Sequence, residues 1–345
     1  MRVAVVLFNL GGPASLQGVE PFLFNLFHDP AIIRVPQPFR WALAKFISKR
    51  RAPIARNIYA KMGGGSPILG QTQSQAAALR DALAGNGDHF ETFVAMRYAA
   101  PRASDIIEQV RRFRPNKIVL LPLYPQYSTT TSRSSLREWQ AVAYDRELGS
   151  PFATICCYPQ DLGFIAAQAE VIAESIAQVP PNVRFRLLFS AHGLPQDVVA
   201  SGDPYQAHVE LTAKALVAAL NRSPLDWRVS YQSRVGPKKW IGPSTDDEIK
   251  KAGSEGLAIV IAPIAFVSEH SETLVELDIE YAQLATASGV PHYIRVPTVG
   301  THPKFIEGLA SLVRVAMKSE GVRSGPGPKV CPQTCKQCAL AEKAA

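Results

Sequence analysis

The sequence predicts an α/β protein built as two similar Rossmann-like domains, each a four-stranded parallel sheet flanked by helices. Short β-branched apolar runs recur with helix-length amphipathic stretches between them, the pattern of parallel strands covered on both faces. The runs divide into two sets of four near residue 150, where LGSP makes a turn-rich break. Hydrophobic residues form 47% of the 345-residue chain, which is enough for two packed cores.

The candidate strands in order are VAVVLF, TFVAM, KIVLLPL, TICCY, FRLLFSA, RVSYQS, LAIVIAP and YIRV. Two chain segments of ordinary domain size follow, 1–150 and 151–320, and 321–345 is read as a linker and cysteine-bearing tail. GVRSGPGPK, from Gly321, has the composition of a flexible connection. VAVVLFNL is short, runs straight into GGP and has no small-residue cleavage site behind it, so it reads as a buried strand and not a signal core. The longest apolar run, GLAIVIAPIAFV, falls short of the roughly 18 residues of a membrane helix and contains Pro263. Five cysteines are too few and oddly counted for a disulfide framework, which points to a reducing compartment, the cytoplasm.

Thirty-seven Lys and Arg against twenty-nine Asp and Glu leave a net charge of +8, which suits an anionic partner. The clearest basic cluster, Lys49 to Arg51, follows FLFNLF and FRWALAKFI. Apolar residues beside basic ones suit a membrane surface better than a phosphate backbone, so peripheral membrane contact is expected and nucleic acid is not. The plain alternative is a solvated face.

Chemistry-bearing residues cluster where open parallel sheets bind ligands, beyond the carboxyl ends of strands. NLGGP, RYAAP, LYPQYSTTTS, SAHGLP, QSRVGPKKW and SEHSET all follow candidate strands. The last opens an unusual stretch, SEHSETLVELDIEY, dense in acid within a basic protein. On an α-helix at about 100° per residue, with Glu269 at 0°, Glu272, Glu276 and Glu280 fall at about 300°, 340° and 20°. One acidic stripe results, with apolar residues on both sides. A solvated face normally intersperses Lys or Arg, and none occurs between Glu269 and Ala287. Crowded carboxylates repel unless they bind a cation or share protons, so a metal path or a proton relay is the leading reading. His270 lies within the stretch and His192 follows another strand, and imidazole serves either role.

These motifs together resemble the ferrochelatases, enzymes that insert ferrous iron into protoporphyrin at the last step of haem synthesis. NLGGP, GGGSPI, RYAAP, YPQYSTTTS, FSAHGLP, YQSRVGPKKWIGPSTDDEI and IAFVSEHSETLVELDIEY stand in the family's order over nearly the whole chain. The resemblance implies a porphyrin held between two Rossmann-like domains. It implies catalytic roles for His192, Glu272, Glu269, His270, Glu276 and Glu280, with His192 on one face of the macrocycle and the Glu272 cluster facing it. His192 is expected to accept pyrrole protons, His192 and Glu272 to meet the iron substrate, and Glu276 and Glu280 to continue the row away. Asp278, on the opposite face of the helix, is expected to be structural. Porphyrin contacts carried over are Leu10, Tyr59, Ser66, Arg97, Tyr124 and Trp240, and the substrate propionates suit Arg50, Arg51, Tyr59 and Ser66, a lipid-facing role for the two arginines being the competing use.

In the tail, CPQTCKQC places Cys331, Cys335 and Cys338 one ligand short of a closed thiolate site. Some ferrochelatases carry a two-iron two-sulfur cluster on such a group with one distant cysteine. Animal members place that cysteine in the YPQYS segment, where this chain has Thr129, so Cys156 or Cys157 is the candidate fourth ligand. Zinc or a bare reduced tail are the alternatives. For the whole chain, the rival readings are a chelatase for coproporphyrin or for cobalt and sirohydrochlorin, and a non-catalytic tetrapyrrole or metal carrier.

Overall fold

The computed structural model describes residues 1–85, 87–234, 236–325 and 331–340. The chain divides into two units, the first formed by Met1–Cys157 with 309–325, the second by Tyr158–Gly308 with 331–340.

The first unit opens with β1 (Arg2–Asn9), α1 (Val19–His28), α2 (Phe39–Ala60), α3 (Ile68–Leu83) and β2 (His89–Met96). It continues with α4 (Ala103–Phe113), β3 (Lys117–Pro122), α5 (Ser132–Asp145) and β4 (Phe152–Cys157). The second unit holds α6 (Leu162–Ile176), β5 (Phe185–His192), α7 (Gln196–Ala200), α8 (Tyr205–Leu220), β6 (Trp227–Gln232), α9 (Thr245–Ser254) and β7 (Ala258–Pro263). A π-helix (Glu272–Glu280), α10 (Tyr281–Ala287) and β8 (Tyr293–Arg295) follow, α11 (Pro303–Ala316) returns the chain to the first unit, and β9 (Gly321–Ser324) ends there.

Both sheets are parallel, ordered β2-β1-β3-β4-β9 and β6-β5-β7-β8. Residues Val3 to Asn9 of the central β1 are all buried, as a strand covered on both faces must be. Beneath it Trp139 of α5 is fully buried, edge-on to Phe8 at 5.9 Å. In the second unit Leu188, Ile259 and Ile261 pack with Ile249 and Ala252 of α9 and with Leu277, Tyr281 and Ala285. That cluster anchors the acidic stretch against its sheet.

Two expectations change. The sheets have five and four strands, and the break falls after Cys157, because TICCY pairs with β3 in the first sheet. Gly321–Ser324, read as linker, is β9, paired with β4 from Ala153↔Gly321 to Cys157↔Ser324. An edge strand this short carries too little periodicity to be read from sequence. Residues 326–329 of that predicted linker lie outside the described residues.

The second change concerns the acidic stretch. It is π-helical and not α-helical from Glu272 to Glu280. A π-helix closes hydrogen bonds from i to i+5, a rare geometry found mostly at functional sites. The wider turn brings residues five apart into line.

Candidate active site

Four elements of the second unit converge here: the end of β5, the end of β6, the loop after β7 and the π-helix. His192 ends β5, and its Nδ1 lies 2.6 Å from the carbonyl oxygen of Gly193. A carbonyl only accepts, so Nδ1 carries the proton and Nε2 presents its lone pair. Gly193 permits this turn: a Cβ there would sit 2.9 Å from the Gln232 carbonyl oxygen and 3.1 Å from Cε3 of Trp240. Trp240 thus lies against the His192 turn, bridged to Pro195 by backbone pairing.

His270 repeats the arrangement after β7. Its Nδ1 lies 3.1 Å from the Ser268 carbonyl oxygen, and its ring is packed edge-on against Phe266. Both histidines turn Nε2 onto one carboxylate: His192 stands 3.6 Å from Oε1 of Glu272, and His270 3.6 Å from Oε2. Burial would raise the Glu272 carboxyl, but the neighbouring His192 and His270 outweigh it and hold it down at about 2. Burial likewise disfavours the His270 cation, and Glu272 reverses that, raising His270 above the usual imidazole range. The trio is therefore an anionic carboxylate with one imidazole Nε2 turned onto each of its oxygens.

The resemblance set His192 and Glu272 on facing sides of a macrocycle; here the two side chains are 3.6 Å apart in one cluster.

The other acids differ sharply from one another. Glu276 accepts hydrogen bonds from Gln232 Nε2 at 3.0 Å, from the Ser233 backbone N–H at 2.8 Å and from Ser233 Oγ at 2.5 Å. Burial, then the charge of Glu272, raise its carboxyl above the usual range. Glu280, one step on, is exposed. Glu269 is held by Arg295 Nη1 at 2.6 Å and the Thr298 N–H at 2.9 Å. Burial works against its charge, and Arg295 prevails, lowering its carboxyl. Arg295 also grips Asp278 bidentately, both contacts at 2.7 Å, which gives Asp278 a structural role.

In the first unit, NLGGP and GGGSPI meet. The Ser66 N–H donates to the Pro13 carbonyl at 2.8 Å, and a Cβ on Gly12 would lie 2.5 Å from that of Ser66. The Arg97 and Tyr98 N–H groups donate to the carbonyls of Asn9 and Leu10. Leu10 packs on the cluster holding Tyr59 and Tyr98. Arg97 is fixed by Ser134 Oγ at 2.7 Å and by Asp29, which lies at 2.8 Å, also accepts from Tyr98 Oη at 2.7 Å and contacts Ser134. Asp29 was invisible in the sequence, where a lone Asp before Pro reads as a turn. Tyr124 is largely enclosed, and burial raises its hydroxyl far above a free phenol. Arg50 and Arg51 lie on the exposed side of α2.

The tail cysteines Cys331, Cys335 and Cys338 form one buried cluster. His208 of α8, fully buried, places Nε2 3.2 Å from Cys331 Sγ, a neighbour that no spacing in the sequence signalled. Cys156 and Cys157 end β4 in the first unit, their sulfurs 3.6 Å apart at a bulge. Among the described residues, no three His, Cys, Asp or Glu side chains form a preformed metal site.

Parallel sheets with imidazole and carboxylate gathered beyond their strand ends define a chelatase-type α/β protein. SirB from Bacillus subtilis, in structures with Fe3+ and with cobalt, is similar at a TM-score of 0.52. Each covers 92% of this chain and 96% of the other, at 14% and 11% identity, a likeness of fold alone. A family model described as Ferrochelatase matches residues 2–317. Proteins named Ferrochelatase from Phenylobacterium zucineum and Pelagibacter ubique are 52% and 49% identical, over 98% of this chain and 98% of theirs. One from Caulobacter vibrioides is 51% identical over 97% of this chain and 95% of its own. The chain belongs to the ferrochelatase family.

Proposed function

We propose that the chain inserts ferrous iron into protoporphyrin IX, forming protohaem and releasing two protons, the last step of haem synthesis. The observation that carries this reading is the single ionised carboxylate of Glu272 between the Nε2 atoms of His192 and His270. Insertion requires the ion to shed water and two pyrrole N–H groups to lose protons. His192, whose Nε2 lies beside the Glu272 carboxylate, takes the pyrrole protons. Glu272 stabilises the resulting imidazolium and, with His192, meets the iron substrate. Glu276 and Glu280 carry charge away from the reacting centre, Glu276 being held by three donors from Gln232 and Ser233. Glu269 and Arg295 hold the start of the π-helix in place. Leu10, Tyr59, Ser66, Arg97, Tyr124 and Trp240 contact the porphyrin, and Arg51 receives a propionate. Anaerobic incubation with ferrous iron and competing porphyrins tests this. Protohaem absorbance is the expected product; preference for coproporphyrin, cobalt insertion into a sirohydrochlorin, or binding without turnover would each replace the reading.

The chain works at the cytoplasmic face of a membrane. On α2, Phe39, Trp41, Phe46 and Ile54 are more than half exposed beside Lys49, Arg50 and Arg51, an apolar and basic surface of the kind that enters a headgroup region. No helix among the described residues is long and apolar enough to cross a membrane. Failure to co-sediment with anionic vesicles would count against this placement.

The tail holds a two-iron two-sulfur cluster on Cys331, Cys335 and Cys338, with Cys157 or Cys156 as fourth ligand. Three buried, clustered cysteines fit the donor chemistry of such a group, although the described residues do not form a closed site. Bound, it would tie the tail down and sense iron, since insertion moves no electrons. Visible absorption of anaerobically purified protein, with iron and sulfide analysis, decides it against zinc or no metal.

A further inference from the structure

The acidic row has two ways out of the site, and only one lies along the row. Beyond Glu276 the helix leads to exposed Glu280. Glu276 also touches a residue outside the row: its Oε1 lies 3.2 Å from Oη of Tyr281. The same hydroxyl lies 3.3 Å from Oδ2 of Asp246, on the first turn of α9.

We propose that Tyr281 and Asp246 form a branch by which protons leave the row, from Glu276 through the tyrosine hydroxyl to Asp246 and then to water. This rests on the reading of Glu276 as a proton acceptor from the reacting centre.

A tyrosine hydroxyl has one proton and stands here between two carboxyl groups. Both contacts are hydrogen bonds only when one carboxyl is itself protonated and donates to the phenol oxygen. The arrangement is thus complete with one extra proton present and one contact short without it. Glu276 is the partner placed to bring that proton in, because it follows Glu272 along the π-helix, toward the reacting centre. Asp246 is the partner placed to lose it, being partly exposed at the surface end.

The step balances. The Glu276 carboxyl gives its proton to Tyr281 Oη while the tyrosine's own proton passes to Asp246 Oδ2, and Asp246 releases it to solvent. Rotation of the new O–H bond back toward Asp246 resets the hydroxyl. Burial and the two flanking carboxylates keep the Tyr281 hydroxyl protonated, so transfer is an exchange and not an ionisation.

The π-helix makes the contact possible. On an α-helix, residues 276 and 281 would diverge by about 140°. Closure from i to i+5 instead aligns them. The ring of Tyr281 is 6% exposed and packed among Leu277, Ile249 and Ala252, so the hydroxyl is held at its station. Gln232 and Ser233 fix the other end by gripping Glu276.

Tyr281→Phe removes the hydroxyl and keeps the packed ring, and Asp246→Asn removes the terminal acceptor at the surface. Each is expected to lower kcat for iron insertion about tenfold, to leave porphyrin KM unchanged and to alter the solvent deuterium isotope effect on kcat. The double variant should be no slower than either single one, because both block one path. Glu276→Gln is the control. If it turns over like the wild type, the reading of the row fails. If it is slow while Tyr281→Phe and Asp246→Asn keep wild-type kcat and isotope effect, the row stands and the branch is overturned. A kcat loss accompanied by raised KM and an unchanged isotope effect marks a structural role and also overturns it. Should Tyr281→Phe fold poorly by circular dichroism, Asp246→Asn decides alone.

Discussion

His192 and Glu272 lie on different elements, β5 and the π-helix, and His192 Nε2 stands 3.6 Å from Glu272 Oε1. An imidazolium formed at His192 is immediately compensated by the Glu272 carboxylate beside it. His270 holds the other carboxylate oxygen at the same distance, so Glu272 cannot swing away without losing both partners.

Glu272→Gln keeps the shape and removes the charge. Turnover should fall about a hundredfold while porphyrin still binds, because charge stabilisation is lost and uniform binding is not. His192→Ala should lose at least as much. Steady-state kinetics with fluorescence titration of porphyrin check both, and near-normal turnover in either folded variant removes that residue from the reaction.

Glu272 also determines the titration of His270. In the wild type His270 is raised above the usual histidine value because Glu272 overcomes burial. In Glu272→Gln burial acts without that carboxylate, so the His270 midpoint should fall, and imidazole NMR against pH will follow it. By sign, a raised histidine stabilises the fold below its unfolded value and loses that contribution as pH rises through the folded one. Glu272, held at about 2, contributes stability above the ordinary carboxylate value and loses it as pH falls toward 2. No movement of His270 in the variant would contradict the coupling.

Arg295 joins Glu269 and Asp278, and all three side chains are largely withdrawn from water. Arg295→Met leaves two carboxylates without their cation and should cost about 3 kcal/mol of stability, read from urea unfolding at neutral pH. The difference from wild type should shrink as pH falls through the lowered range of Glu269, because protonation then removes the uncompensated charge. A loss independent of pH would point to packing instead.

Asp29 is 4% exposed and accepts from Arg97 and Tyr98. Asp29→Asn should destabilise the chain by about 2 kcal/mol and leave Arg97 with Glu138, already 3.4 Å away, as its carboxylate partner. If Arg97 meets the porphyrin, KM for the porphyrin should rise more than kcat falls. An unchanged unfolding midpoint would mean the pair contributes nothing to the fold.

Much of this was legible in the chain. Strand-length apolar runs located β1 to β8, because a parallel strand buried on both faces must be apolar along its length. Rare polar residues at strand ends marked His192 and His270, and the absence of Lys or Arg from the acidic stretch separated it from a solvated face. Sheet membership was not legible: TICCY reads alike in either sheet, and Gly321–Ser324 reads as a linker until β4 offers it hydrogen bonds. His208 and Asp29 were missed because each gains meaning only from a partner distant in sequence.

The sequence by itself determined the fold class and the family, together with the residue types at the reacting centre, since those depend on local pattern and motif order. The resemblance already separated Glu272 from Glu276, Glu280 and Asp278. Only the tertiary structure supplied the partners that make each acid different. The π-helix sends Glu272 to two histidines, Glu276 to Gln232, Ser233 and Tyr281, and Glu280 to the surface, while Glu269, in the loop before it, goes to Arg295. A carboxylate's chemistry is set by which charges and dipoles lie within a few ångströms, and those neighbours arrive from other strands and helices.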